Sequence, residues 1–219
     1  MAKLIDFLPR VLQAVPGCSE PLAIQHIRDI CIDFCVFTQI WQETLDPIDT
    51  TALITEYDLS PPAGALIHAV NNSWFKGRPL TVANTDSNHI RPEIFNNQFP
   101  GANVQPGDPL LLIVNYADKT FTLDPAPQYT ESKTLTLRAT LKPTRASQSV
   151  PDILLQEYEF AISQGAISRL ARIPGQSFTD MNVAAIASGF YGDARHSATI
   201  RANKTFARSQ ARVAMRPFA

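Results

Sequence analysis

The chain has 219 residues, 45% of them apolar and 18% charged. That suffices for one large domain, or for one with a second inserted into it, and it excludes the apolar-poor, highly charged composition of a disordered chain. The net charge of −1 conceals a division: residues 1–164 carry 11 Lys and Arg against 18 Asp and Glu, whereas residues 165–219 carry 8 against 2.

No run approaches the roughly 18 apolar residues that span a membrane. Asp6 and Arg10 interrupt the apolar start, so no signal peptide is expected. Cys18, Cys31 and Cys35 are odd in number and lack zinc-type spacing, which fits synthesis in a reducing compartment.

In residues 2–15, Ile5, Leu8, Leu12 and Val15 recur at helical spacing, and Pro9 limits the helix to short pieces. Pro16-Gly17 breaks the chain. Ser19 as cap and Pro21 in the first turn open a second helix. Its apolar stripe is Ala23, Ile27, Ile30, Cys31, Phe34, Cys35 and Thr38, with Arg28, Asp29 and Asp33 off it, and it runs to about Gln39 or Trp41.

From about Thr50 the pattern turns to strands. Ala65-Leu66-Ile67-His68-Ala69-Val70 is one run. Lys76-Gly77-Arg78 reads as a hairpin turn between Trp74-Phe75 and Leu80-Thr81-Val82, and Ala117-Asp118-Lys119 as a second, before Thr120. Residues 134–141 alternate, Leu and Ala toward a core and Thr and Arg toward solvent. Between the hairpins, residues 84–108 are rich in Asn, Pro and Gly and exceed an ordinary connection.

Ser149 as cap and Pro151 in the first turn restart helix, with Leu154, Tyr158, Ala161, Ile162 and Gly165 on one face and Ala166 at its edge. A helical Gly costs about 1 kcal/mol against Ala, so Gly165 implies a close helical neighbour. Pro174-Gly175 stops this helix. Thr179-Asp180 caps the next, which carries Ala184, Ala187, Phe190, Tyr191 and Ala194.

The C-terminal segment repeats Arg201, Lys204, Arg208 and Arg212 three or four apart, with Arg216 following, and lacks large apolar residues for a core helix. Residues 212–216 also alternate as a strand would. It reads as an arm ordered by a partner. Three roles stand open: a solvated tail, contact with an acidic protein surface, or DNA contact, the last supported by Arg and Lys but with Phe206 alone before its end to stack on bases.

The expected fold is therefore α+β: a small helical bundle built from residues 1–49 and 146–194, an inserted antiparallel β domain at 50–145, and an extended basic arm at 195–219.

Three stretches carry a resemblance: Leu8-Pro9-Arg10-Val11-Leu12 with Val15-Pro16-Gly17-Cys18, leading to Asp33-Phe34-Cys35; Tyr57-Asp58-Leu59 before Pro61-Pro62; and Val150-Pro151-Asp152-Ile153-Leu154 followed by Ala161-Ile162-Ser163-Gln164-Gly165-Ala166. In this order the chain resembles the head-tail adaptor (neck or connector) proteins of tailed bacteriophages, with Phe178 where a Trp is expected. The resemblance implies a structural protein of the virion neck, made in the host cytoplasm. It implies a homo-oligomeric ring, commonly a dodecamer, docked under the portal protein around the channel for genomic DNA, with a distal tail or neck protein beyond. It also implies insertion of the C-terminal arm against the portal. The spaced basic residues of that arm, Arg201, Lys204, Arg208, Arg212 and Arg216, are the expected contacts to the portal or to a neighbouring copy.

Convergent catalytic groups are scarce. His26, His68, His89 and His196 form no ligand pair, and Cys31 and Cys35, one turn apart on the apolar stripe, read as core thiols. Cys18 has no indicated base, and Asp29 and Asp33 read as a solvated or interface face. No phosphate-binding Gly loop occurs. An enzyme would rest on the residues around His89, Arg91 and Glu93. No cofactor, metal or membrane contact is expected.

Overall fold

Proline and glycine punctuate the first forty residues as expected. Ala2–Lys3 forms a short strand (β1), Leu4–Phe7 a 3-10 turn, and Leu8–Ala14 a helix (α1) with Pro9 in its first turn. Gly17, at φ +86°, turns the chain where an L side chain would be strained. Helix α2, Glu20–Thr38, follows and ends on Gln39 in the left-handed region. All seven residues of its predicted stripe are buried. Ser19 sits at the cap, but its hydroxyl makes no capping bond; its carbonyl accepts from Ala23 N–H at 3.0 Å.

The structure, a computed structural model, describes residues 1–84 and 106–206. The chain divides into two units, one of Met1–Ile40 with Arg145–Ala219, the other of Trp41–Thr144. N- and C-terminal helices pack together in the first, and the second is a curled mixed sheet, half of a barrel.

In the helical unit, Ser149–Val150 is a strand (β10) antiparallel to β1 rather than a helix cap. The expectation for Ser149 rested on local capping chemistry, whereas Ser149 lies opposite Lys3 in the ladder and its own N–H and carbonyl are bonded to the Ser147 hydroxyl. Helix then forms in two pieces, α3 Asp152–Gln156 and α4 Glu159–Leu170. Gly165 makes the predicted close approach: a Cβ there would stand 2.8 Å from Ile30 Cγ2 and 2.9 Å from Tyr191 Cδ2. Helix α5, Met181–Phe206, is capped by Asp180, whose Oδ1 accepts from the N–H groups of Asn182 and Val183.

Phe190 is half exposed, about 100° around the helix from the buried Tyr191. One expectation for this region fails. The arm does not begin at residue 195, since residues 195–206 continue α5 with Ala198 and Ala202 buried. Both alanines extend the stripe of Ala184, Ala187 and Tyr191. Small side chains suffice for close packing, so the lack of large apolar residues was a poor guide.

The sheet unit holds β2 Gln42–Thr44, β3 Ile48–Thr50, β4 Glu56–Asp58, β5 Ala65–Phe75, β6 Arg78–Asn84, β7 Leu111–Asn115, β8 Thr120–Asp124 and β9 Glu131–Pro143. The order is β2-β9-β5-β6-β7-β8-β4, with β3 also on β9. Residues 41–49 therefore belong with the sheet, not with the N-terminal helices; three-residue strands are too short to show a period. Both predicted hairpins form. Lys76 and Gly77 have φ of 49° and 78°, the positive pair that a type I′ turn requires.

The sheet is not wholly antiparallel: β6 runs parallel to β7. Parallel neighbours cannot be joined by a tight turn, and β6 ends at Asn84 while β7 begins only at Leu111. Leu135, Leu137, Ala139 and Leu141 face the core as their alternation predicts. Thr140, expected in solvent, is also buried and pairs with Asn71 Nδ2 at 2.7 Å. The register of β5 against β9 shifts at His68 and at Asn71, and such bulges re-aim side chains that strict alternation would place elsewhere.

Candidate functional site

The helical unit is tied at Asp33, which the wheel of α2 puts off the apolar stripe. Tyr191 Oη donates to Asp33 Oδ2 at 2.7 Å, Arg195 Nη1 donates to the same oxygen at 3.4 Å, and Arg169 Nη2 stands at 3.8 Å. The Arg195 guanidinium also lies 3.9 Å above the Phe37 ring, which meets His196 edge to face with ring centroids 5.8 Å apart. Burial first, then the hydrogen bond and charge of Asp33, push the Tyr191 phenol well above its ordinary range. The same cluster joins α2, α4 and α5.

Of the five predicted contact residues, Arg201 is the one whose side chain the structure describes. It projects from α5 and pairs with Glu157 through both guanidinium nitrogens, Nη2 donating to Oε1 at 3.3 Å. That bond is intramolecular and exposed, so Arg201 is held by its own unit rather than presented bare. Lys204 lies in α5 at a position whose side chain is not described. Arg208, Arg212 and Arg216 lie outside the described residues, as do His89, Arg91 and Glu93.

A feature that the predicted residues do not include is an apolar face on α4 and α5. Phe160 and Phe190 are 46% and 50% exposed and meet edge to face, with ring centroids 5.8 Å apart. Ile186, one turn before Phe190, is 63% exposed. Arg10 stands over the Phe160 ring at 5.6 Å and pairs with Glu159 at 3.0 Å, giving the face a polar rim. A wheel drawn through Ala184, Ala187 and Tyr191 already sets Ile186 and Phe190 off the buried stripe, so the signal was available.

Burial disfavours the thiolate form at each of the three cysteines. Cys31 and Cys35 are buried; burial holds the first thiol far above its ordinary range and pushes the second up to about 12. Cys18 is raised too, burial outweighing the backbone bond from Ala23. Burial lowers His26, with Asp29 opposing and Arg169 assisting. Among the described residues no three His, Cys, Asp or Glu side chains gather as a metal site needs, and no described helix is long and apolar enough to cross a membrane. The arrangement is suited to holding another surface through a rimmed apolar face.

No protein-family model matches this chain, and no curated protein matches it.

Proposed function

We propose that this chain is a structural head-tail adaptor of a tailed bacteriophage, a subunit of a ring that sits under the portal protein and joins capsid to tail around the DNA channel. The observation that carries the reading is the half-exposed aromatic pair Phe160 and Phe190 with Ile186 on the helical unit. Contiguous apolar surface with a polar rim marks an interaction site, whereas single exposed apolar residues do not. The order of the sequence stretches that resemble adaptor proteins supports the same reading, and two of the three stretches lie in the helical unit.

In this reading a second copy covers the aromatic face, and repetition around a closed ring, commonly of twelve, turns modest contacts into a stable assembly. The segment past Phe206 carries Arg208, Arg212 and Arg216 without an acidic residue and reaches an acidic surface of the portal or of a neighbouring copy. A distal tail or neck protein binds the opposite end of the ring. The protein is made in the host cytoplasm and ends in the virion neck.

Particle mass of the full chain, alone and mixed with portal, tests this. Rings are expected with portal, lost in Phe190→Asp with Ile186→Asp, and unable to stay on the portal when the chain stops at Phe206. A monomer that ignores the portal and is unchanged by these variants would sink the reading. The net +6 of residues 165–219 favours one second reading, binding of nucleic acid through the same segment. Duplex binding that falls steeply from low to physiological salt is then expected, and no binding at low salt removes it.

A further inference from the structure

A cleft of about 390 Å³ in the sheet unit is lined by Leu59, Pro61, Leu66, Ile67, His68, Tyr116, Lys119 and Lys142. Its position follows from the first bulge of β5: the register against β9 slips between Ile67 and Ala69, so His68 is the extra residue, beside Lys142, which pairs with Leu66. A bulged residue leaves the ladder and its side chain is re-aimed. Tyr116 closes the neighbouring stretch, its oxygen accepting the Val70 N–H at 2.8 Å.

The lining has a distinct chemistry. It carries two ammonium groups, an imidazole and a phenol, with no carboxylate, although the surrounding sheet unit is net acidic. Neither lysine forms an ion pair with a described residue. Half-burial, and after it the Lys142 ammonium, hold His68 below its ordinary value. His68 is thus a neutral donor at pH 7 beside a cation. Leu59, Pro61, Leu66 and Ile67 supply apolar walls.

We propose that this cleft binds a carboxylate carried on a compact apolar body, with the anion against Lys142 and His68 and the body against Leu59, Pro61, Leu66 and Ile67. The volume lies near the lower end of ligand sites. A phosphate is the poorer fit, because neither Arg nor a helix N-terminus lines the cleft to take a dianion. The shared chemistry admits two sources, a free small carboxylate or a Glu side chain flanked by apolar residues. The inference is independent of the adaptor reading.

The test is a nuclear magnetic resonance titration of the full chain with 4-phenylbutyrate, with 4-phenylbutylamine, inorganic phosphate and the capped tripeptide Leu-Glu-Phe in separate arms. The carboxylate should shift His68, Tyr116 and Lys142 and raise the His68 imidazole pKa, since an opposite charge favours the imidazolium. Lys142→Gln should weaken binding about tenfold, as loss of one charge-assisted bond does, whereas Lys3→Gln should not. Tighter binding of the tripeptide assigns the site to an acidic peptide, and tighter binding of the free acid to a small molecule. The proposal is overturned if the amine or phosphate binds as well as the carboxylate. It is equally overturned if neither carboxylate shifts these residues up to about 10 mM, where even a weak ligand would register. The wild-type arms decide the matter even if Lys142→Gln fails to fold.

Discussion

Gly165 is the residue on which the helical unit closes. Its absent side chain lets Ile30 and Tyr191 approach the α4 backbone, and a Leu there would have to displace both. Gly165→Leu should cost about 2–3 kcal/mol by overpacking, more than its gain of about 1 kcal/mol in helix propensity, as read by urea denaturation. Tyr191 carries the second residue-scale prediction. Its folded phenol is held neutral above the value of an unfolded one, so its contribution is complete below about pH 10 and declines as pH rises beyond that. Tyr191→Phe removes the bond to Asp33, so wild type should be the more stable at neutral pH. That advantage should hold steady up to about pH 10 and shrink above it. An advantage that grows with alkalinity would show that the phenol is not held by Asp33.

At the scale of elements, the β5–β6 hairpin depends on backbone more than on contacts. Nothing lies within 4 Å of the Cβ that Gly77 lacks, yet its φ of 78° strains any L side chain. Gly77→Val should therefore destabilise the sheet unit by about 1–2 kcal/mol without a steric clash, and thermal melts can read this. Helix α5 shows the opposite balance. Its pattern of apolar residues is weak, but Ala184, Ala187, Ala198 and Ala202 let it lie close against its neighbours. The pairing of Arg201 with Glu157 adds little at an exposed site, so Arg201→Ala should leave the melting temperature nearly unchanged.

On the scale of the whole molecule, the division into two units makes the cysteines a one-sided probe. Cys18, Cys31 and Cys35 all belong to the helical unit. Alkylation of Cys31 and Cys35 in native protein at pH 8 should be slow and should accelerate together in denaturant, because both thiols are buried and raised. Unfolding of the sheet unit alone should leave that rate untouched. Rapid native alkylation of Cys35 would contradict the packing of α2.

The stripe of α2, the two hairpins, the Asp180 cap and the meaning of Gly165 were legible because each rests on local chemistry: a period of 3.6, a turn needing positive φ, a cap, a missing Cβ. The Asp33 cluster, the bulges of β5 and the parallel join of β6 to β7 were not, because each brings together residues distant in the chain. The same holds for Ser149, whose local capping signal lost to pairing with Ala2–Lys3. Of the candidate contacts, sequence supplied the basic spacing, but the fold alone decided that Arg201 turns to Glu157 and that Phe160 meets Phe190 at the surface. Local propensities select elements; which faces remain uncovered is a matter of how those elements pack.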